Sequence, residues 1–184
     1  MSDQQMKRHT MIAWMEDKPG VLNRVASLFR RRNYNIESLA VGHSETEGIS
    51  RMTFVARGSD REMSQIKTQL DKLINVIDIQ DVTYEPVVMR ELALIKVKAS
   101  NGNRAQVMQL VDIYRARVID VDLDSLIVQI VGPEERVASF IKLLSNFGIE
   151  EMTRTGRIAM VRGPKSEKQV EMEEAVFASN GHGL

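Results

Sequence analysis

The feature that most constrains the fold of this chain is an order of apolar patterns that occurs twice. Each copy begins with a short apolar run typical of a strand. Apolar residues at three- and four-residue steps follow, which are typical of an amphipathic helix. Two further strands, a second helix and a closing strand complete each copy. The sequence therefore predicts an α+β protein built from two consecutive βαββαβ units.

The first copy spans residues 9–85. Its predicted elements are strand 9–15, helix 21–32, strand 36–42, strand 51–57, helix 61–74 and a strand at 77–80. Each helix carries one apolar stripe, which predicts the face that packs on the sheet. The two stripes consist of Val21, Leu22, Val25, Leu28 and Phe29, and of Met63, Ile66, Leu70, Leu73 and Ile74. In the last strand Ile77 and Ile79 alternate with polar residues, which predicts a half-buried strand.

The second copy spans residues 90–163 and repeats the order. Its predicted elements are strand 92–98, helix 104–116, strand 118–122, strand 126–131, a helix opened by Pro133, and a closing strand at either 149–153 or 158–161. Both copies have the element order of a ferredoxin-like unit, in which two helices cover one face of a four-stranded antiparallel sheet. Residues 164–184 form a polar tail that we expect to be mobile, although the capping-box pattern at 166–169 could start a short helix.

Units of this size bury only a modest core, and their edge strands need cover. Pairing of edge strands between two chains is a common solution. We therefore expect a symmetric homodimer or a higher oligomer.

Composition excludes several classes of partner and site. The 184 residues include 25 Lys and Arg and 25 Asp and Glu, so no excess positive field exists to attract nucleic acid or anionic lipid. There is no cysteine, which excludes disulfides, thiolate catalysis and Cys-based zinc sites. The longest apolar run, 11–15, is far below the roughly 20 residues of a membrane span, and residues 1–6 do not resemble a signal peptide. We expect a soluble, unprocessed cytoplasmic chain.

Catalytic patterns are missing from the sequence. It has no phosphate-binding glycine loop, no dinucleotide fingerprint and no histidine pair at i and i+4. Asp120, Asp122 and Asp124 suggest a divalent cation, but the positions that a calcium loop gives to glycine and glutamate hold Ser125 and Val131. We favour solvated charges there, and predict neither catalytic residues nor a metal site.

Three consecutive arginines, Arg30, Arg31 and Arg32, have two interpretations. They complement the dipole at the end of the first helix, at roughly 0.3 to 1 kcal/mol each, or they meet an acidic surface on a protein partner. We favour the first interpretation.

The turn from Asp17 to Leu22 is the best candidate for a binding site. Asp17 is a good N-cap, Pro19 suits the first helical position, and Gly20 lets another group approach the backbone. The free N–H groups of Gly20, Val21 and Leu22 would then point outward from the positive end of a helix and suit a carboxylate. Asp17 and the amide oxygen of Asn35 could accept an ammonium. Spacing alone leaves a second interpretation equally open, a well-capped helix start without a ligand.

Six segments, in order along residues 9–163, resemble the small regulatory subunits of acetolactate synthase (acetohydroxyacid synthase), an ACT-domain family. They are Glu16-Asp17-Lys18-Pro19-Gly20-Val21-Leu22-Asn23-Arg24-Val25, Tyr34-Asn35-Ile36-Glu37-Ser38-Leu39, Ser50-Arg51-Met52-Thr53, Gln69-Leu70-Asp71-Lys72-Leu73-Ile74, Arg90-Glu91-Leu92-Ala93-Leu94-Ile95-Lys96-Val97 and Arg154-Thr155-Gly156-Arg157-Ile158-Ala159. Generic ACT domains share the Pro-Gly turn but not the Asn-Ile-Glu-Ser run.

The resemblance implies a non-catalytic subunit in branched-chain amino acid biosynthesis (valine, leucine, isoleucine). Such subunits dimerise through ACT domains, bind valine at the interface, and both activate and feedback-inhibit a separate large subunit. The cofactors expected on that large subunit are thiamine diphosphate, Mg and FAD, with none on this chain. The less favoured alternative is a stand-alone ACT-type amino-acid sensor that regulates another enzyme or transcription.

The resemblance also assigns residues and domains. The implied valine ligands are Asp17, Gly20, Val21 and Leu22 from one chain, with Asn35 and Ile36 from the other. Residues 9–85 would be the ACT domain, which binds the amino acid and dimerises, and 90–163 the domain that activates the catalytic subunit. The family often has Asn at the position of Asp17, and smaller aliphatic residues at that of Trp14, which we place at the sheet interface or near the pocket.

Overall fold

The computed structural model describes residues 6–32, 34–164, 170, 171 and 174. The chain divides into two compact units, one of residues up to Val88 together with those from Ala159 onward, and one of Met89–Ile158. The predicted capping box at 166–169 and most of the predicted tail lie outside the described residues. Among the described residues, no helix has the length and apolar character needed to cross a membrane.

The first unit contains the predicted βαββαβ order. Its elements are β1 (Lys7–Glu16), α1 (Val21–Arg31), β2 (Ile36–His43), β3 (Ile49–Gly58), α2 (Asp60–Leu70) and β4 (Val76–Asp81). The antiparallel sheet has the order β2-β3-β1-β4, which leaves β2 at one edge. A core forms between the two helices and one sheet face, where the predicted stripe residues Val25, Phe29 and Ile66 are buried.

The second unit repeats the order. Its elements are β5 (Val87–Lys98), α3 (Arg104–Ile113), β6 (Arg117–Val121), β7 (Ser125–Gly132), α4 (Glu134–Leu144) and β8 (Ile149–Arg154). Strand β9 (Ile158–Val161) begins at the last residue of this unit, and its other residues belong to the first. The sheet order is β6-β7-β5-β8, and β9 also pairs with β5. The two positions predicted as alternatives for the closing strand are therefore both strands. The ferredoxin-like fold predicted for both units is confirmed.

Corresponding backbone hydrogen bonds reveal the internal repeat. In the first unit, Glu16 N–H donates to Asn75 O at 2.9 Å and Asp17 N–H to Gly48 O at 2.8 Å. In the second, Lys98 N–H donates to Gly148 O at 2.9 Å and Ala99 N–H to Asp124 O at 2.8 Å. The end of the first strand is thus fixed in the same way in both copies.

Two predictions about the α2–β4 region were wrong. Helix α2 ends at Leu70 because the next residues turn tightly, with Leu73 N–H bonding Leu70 O and Val76 N–H bonding Leu73 O. Ile74, predicted on the buried stripe, is 88% exposed as a result. In β4, a bulge opposite Trp14 and Met15 displaces Ile77, which is exposed, whereas Asp78 is buried.

Candidate functional site

The turn between β1 and α1 differs from the prediction in how the helix begins. Gly20 is the N-cap, with φ +86°, and no side chain caps the helix. The predicted N-cap role of Asp17 and first-turn position of Pro19 were therefore wrong. Gly20 has a left-handed conformation and changes the direction of the chain immediately before Val21. Asp17 and Pro19 therefore belong to the turn that precedes the helix. A Cβ atom at Gly20 would meet nothing within 4 Å, which leaves this backbone open to approach.

Two of the three predicted N–H groups are unsatisfied. Val21 N–H donates to Lys18 O at 3.3 Å. Within the described part of the chain, the N–H groups of Gly20 and Leu22 have no hydrogen-bond acceptor. They lie at the positive end of α1, where an anionic group is favoured. The Leu22 side chain is 43% exposed, although it was predicted to lie on the buried stripe.

Asp17 faces a histidine that the sequence analysis did not assign to the site. His43 Nδ1 lies 3.2 Å from Asp17 Oδ2, and the two side chains are 86% and 46% exposed. The strand register explains their proximity, because Ser50 of β3 pairs with Met15 on one side and with His43 on the other. The end of β2 therefore reaches the turn.

Asn35 and Ile36 lie at the opposite end of β2 from His43. His43 lies seven residues after Ile36, and at about 3.3 Å per residue the two are about 23 Å apart. Within one chain, the six predicted ligand residues therefore form two separate groups, one at each end of the edge strand. Asn35 is exposed, and no described residue is hydrogen-bonded to its side chain.

A polar network that was not predicted from the sequence connects the segments on either side of the turn. Asn75, in the α2–β4 turn, donates from Nδ2 to Glu16 Oε2 at 2.5 Å and accepts at Oδ1 from Arg24 Nη1 at 2.5 Å. Lys18 Nζ donates to the other oxygen of Glu16 at 3.2 Å. The hydrogen bonds from Asn75 and then Lys18 hold the pKa of Glu16 below its ordinary value. Asn75 thus connects β1, which precedes the ligand turn, with α1, which follows it.

Trp14 is buried in the sheet and does not lie free beside the turn. It pairs in register with Arg51 of β3, whose guanidinium carbon lies 5.2 Å from the indole centroid. Burial lowers the pKa of Arg51, and its Nη2 donates to Ala159 O at 2.9 Å. The side chain is therefore part of a cation–π contact within the first unit.

In the second unit, the side chain of Arg104 donates hydrogen bonds to the backbone of the equivalent turn. Arg104, at the start of α3, donates to Ala99 O from Nε at 3.0 Å and from Nη2 at 2.7 Å. The same Nη2 lies 2.5 Å from the carbonyl oxygens of Asp122 and Leu123. Arg104 thus connects the loop before α3 to the β6–β7 turn, whereas Arg24 of α1 is bonded to Asn75 and not to the turn at Gly20.

The three aspartates considered for a cation are not gathered into a site. Asp122 Oδ1 accepts a hydrogen bond from Leu123 N–H at 2.8 Å, as expected of a hairpin turn. No three His, Cys, Asp or Glu side chains of the described ranges converge as a metal site would require.

The element order, the exposed edge strand and the Pro-Gly turn together define an ACT domain. Residues 12–78 match a family model described as "AHAS small subunit-like ACT domain". Residues 90–163 match a second model, described as "Small subunit of acetolactate synthase".

Full-length relatives give the same result. A "Probable acetolactate synthase small subunit" of Archaeoglobus fulgidus is 49% identical over 158 residues, which cover 86% of this chain and 99% of that protein. The "Acetolactate synthase small subunit" of Mycobacterium bovis is 49% identical over 159 residues, covering 86% and 95%. The crystal structure of the acetolactate synthase small subunit from Thermotoga maritima superimposes with a TM-score of 0.81 at 39% identity, covering 86% and 99%. The chain belongs to the family of acetolactate synthase small regulatory subunits, which confirms the resemblance.

Proposed function

We propose that this chain binds valine between the ACT domains of a dimer, activates a catalytic large subunit of acetolactate synthase, and makes that enzyme sensitive to feedback inhibition. The observation that carries the proposal is the position of β2. This edge strand has the open turn near its end and Asn35 at its start. A two-fold axis that pairs β2 antiparallel with its copy places the start of one strand opposite the end of the other. Both halves of the site then meet twice per dimer.

The exposed side chains of β2 suit such pairing. Leu39 and Val41 are 40% and 44% exposed and pair in register with the core residues Phe54 and Met52. They therefore lie on the helix-covered face of the sheet, at its edge. An unpaired edge with apolar side chains is a surface that another strand readily covers.

The chemistry of the completed site matches a small aliphatic amino acid. The N–H groups of Gly20 and Leu22 would bind the carboxylate, with Val21 supplying backbone beside them. Asp17 and the amide oxygen of Asn35 would accept hydrogen bonds from the ammonium. The side chains of Leu22 and Ile36 would contact the aliphatic part of the ligand.

The catalytic chemistry belongs to the large subunit, where we expect thiamine diphosphate, Mg and FAD to be bound. We assign binding and dimerisation to residues 9–85 and activation of the large subunit to 90–163, in a cytoplasmic complex of branched-chain amino acid biosynthesis. Valine and the large subunit are coupled through this chain. By linkage, the change that valine makes in partner affinity equals the change that the partner makes in valine affinity, typically 1 to 3 kcal/mol.

A reconstitution assay tests the proposal. The purified chain is mixed with a purified acetolactate synthase large subunit, and acetolactate formation is measured with and without valine, leucine and isoleucine. We expect activation by the chain and inhibition by valine only when the chain is present. Valine binding to the chain without any effect on acetolactate formation would contradict the proposal, and would favour a stand-alone ACT-type sensor of another enzyme or of transcription.

A further inference from the structure

A cleft runs between α1 and α2 on the outer surface of the first unit. It consists of two adjoining hollows of about 340 and 490 Å³, which share Leu28, Arg32 and Gln69. We call this cleft the α1–α2 groove. It lies on the helix layer, whereas the proposed valine site lies at the β1–α1 turn and the β2 edge.

The rim of the groove is cationic. Arg24, Arg31, Arg32 and Lys72 line it, and no described lining residue carries a carboxylate. Within the described part of the chain, Arg31, Arg32 and Lys72 form no ion pair. Because the whole chain contains equal numbers of cationic and anionic residues, this local excess of positive charge is not a general property of the surface. Arg31, Arg32 and Lys72 lie at the C-terminal ends of α1 and α2, so the two helix dipoles also favour positive charge at this rim.

The floor of the groove is apolar. Leu28, Tyr34 and Leu73 line it and pack against the core while remaining partly exposed. An apolar floor with an aromatic residue and an arginine-rich rim is the typical composition of a protein–protein interface. The positive rim favours an occupant that carries carboxylates.

The groove is continuous with the proposed valine site. Arg24 lines the groove and bonds Asn75, and Asn75 in turn bonds Glu16 immediately before the ligand turn. Two hydrogen bonds, Glu16–Asn75 and Asn75–Arg24, therefore link a movement of the turn on ligand binding to the groove.

We propose that the α1–α2 groove is the docking surface for an acidic segment of the catalytic large subunit. This inference rests on the proposed function, and it adds a docking surface in the first unit to the activation that we assign to 90–163. Apolar side chains of the segment would pack on Leu28 and Leu73, and its carboxylates would pair with Arg31, Arg32 and Lys72.

The test compares two triple charge reversals in the full chain. The groove variant is Arg31→Glu, Arg32→Glu and Lys72→Glu. The control variant, Arg30→Glu, Arg61→Glu and Lys67→Glu, makes the same change in net charge at exposed positions of the same two helices that do not line the groove. Affinity for the purified large subunit is measured at several salt concentrations, valine affinity by calorimetry, and oligomeric state by sedimentation.

We expect the groove variant to bind the large subunit about tenfold more weakly or worse, and its binding to depend less on salt than that of the wild type. The control variant should bind about as the wild type does, and both variants should bind valine. Equal binding by the groove variant and the wild type would overturn the proposal, as would equal losses in both variants. A changed oligomeric state with unchanged large-subunit binding would assign the groove to a second copy of this chain. If the wild type itself bound no large subunit, the proposed function would fail instead of the groove assignment alone.

Discussion

The side-chain amide of Asn75 donates to the carboxylate of Glu16 across 2.5 Å. Asn75 belongs to the turn after α2, whereas Glu16 is the last residue of β1 and precedes the ligand turn. Because Asn75 also accepts from Arg24 in α1, it connects three elements around the turn. The backbone N–H groups that would bind a carboxylate are thus held in place by a residue outside the site.

Asn75→Ala should weaken valine binding without removing the binding groups themselves. Loss of about 1 kcal/mol of support at the turn corresponds to roughly a fivefold weaker valine affinity. Hydrogen exchange at Val21, whose N–H donates to Lys18 O, should be faster in the variant. Asn146→Ala, at an exposed position in the second unit, is the control and should change neither quantity. Unchanged exchange at Val21 would show that Asn75 does not position the turn.

Acid should destabilise the first unit through carboxylates whose pKa values are lowered in the folded state. Hydrogen bonds from the Ser59 backbone and then its hydroxyl lower the pKa of Glu62 below its ordinary value of 4.5. A lowered pKa means that the stabilisation is fully present above pH 4.5 and is lost as the pH falls through the folded-state pKa. Unfolding by urea from pH 6 to pH 3 should therefore show falling stability below about pH 4.5. Glu62→Gln, which keeps a capping side chain but does not titrate, should make the curve less steep, because Glu16 still titrates, and an unchanged curve would contradict this account.

The repeat, the fold of both units and most helix faces could be predicted from the sequence, because the spacing of apolar residues indicates which side chains are buried. Features that depend on contacts between distant segments could not. The bulge that exposes Ile77 arises from the pairing of β4 with β1. His9 is buried, and its Nδ1 lies 3.1 Å from Oδ2 of Asp81, a residue 72 positions further along the chain.

The candidate site was also predictable only in part, because some of its residues meet through contacts between distant segments. Local turn chemistry identified Gly20 and the open N–H groups, but it assigned the cap to Asp17, because a good capping residue was visible and the left-handed φ of Gly20 was not. His43 and Asn75 reach the turn through strand register and the α2–β4 turn, which leave no mark in local sequence.

The pair of Glu91 and Arg154 should be the most costly ion pair to break in the second unit. Glu91 is 5% exposed, and Arg154 meets it with Nε at 2.9 Å and Nη2 at 2.6 Å, which raises the pKa of Arg154. Arg154→Ala should lower the free energy of unfolding by about 2 to 3 kcal/mol, because a buried carboxylate loses its partner. Lys96→Ala, which removes an exposed pair at 3.8 Å, should cost less than about 0.5 kcal/mol. Urea denaturation measures both, and equal losses would contradict the assignment.

Gly20→Asp should abolish valine inhibition while activation of the large subunit is kept. The new carboxylate would lie beside the unsatisfied N–H groups and repel the carboxylate of the ligand. Its backbone cost is about 1 kcal/mol, because φ at Gly20 is positive. Gly163→Asp is the matched control, with φ +94° and no atom within 4 Å of the new Cβ. Activity assays with and without valine should separate the two variants, and valine inhibition retained in Gly20→Asp would contradict the site.

The most direct measurement of the central claim, a valine site shared between two chains, is complementation between Gly20→Asp and Asn35→Ala. Each homodimer should lack an intact site. In a 1:1 mixture, mixed dimers have one site with both changes and one intact site, so about a quarter of all sites should bind valine again. Calorimetry on the mixture after subunit exchange should show this recovery. A mixture that binds no more valine than the separate variants, under conditions where exchange is demonstrated, would contradict the shared site.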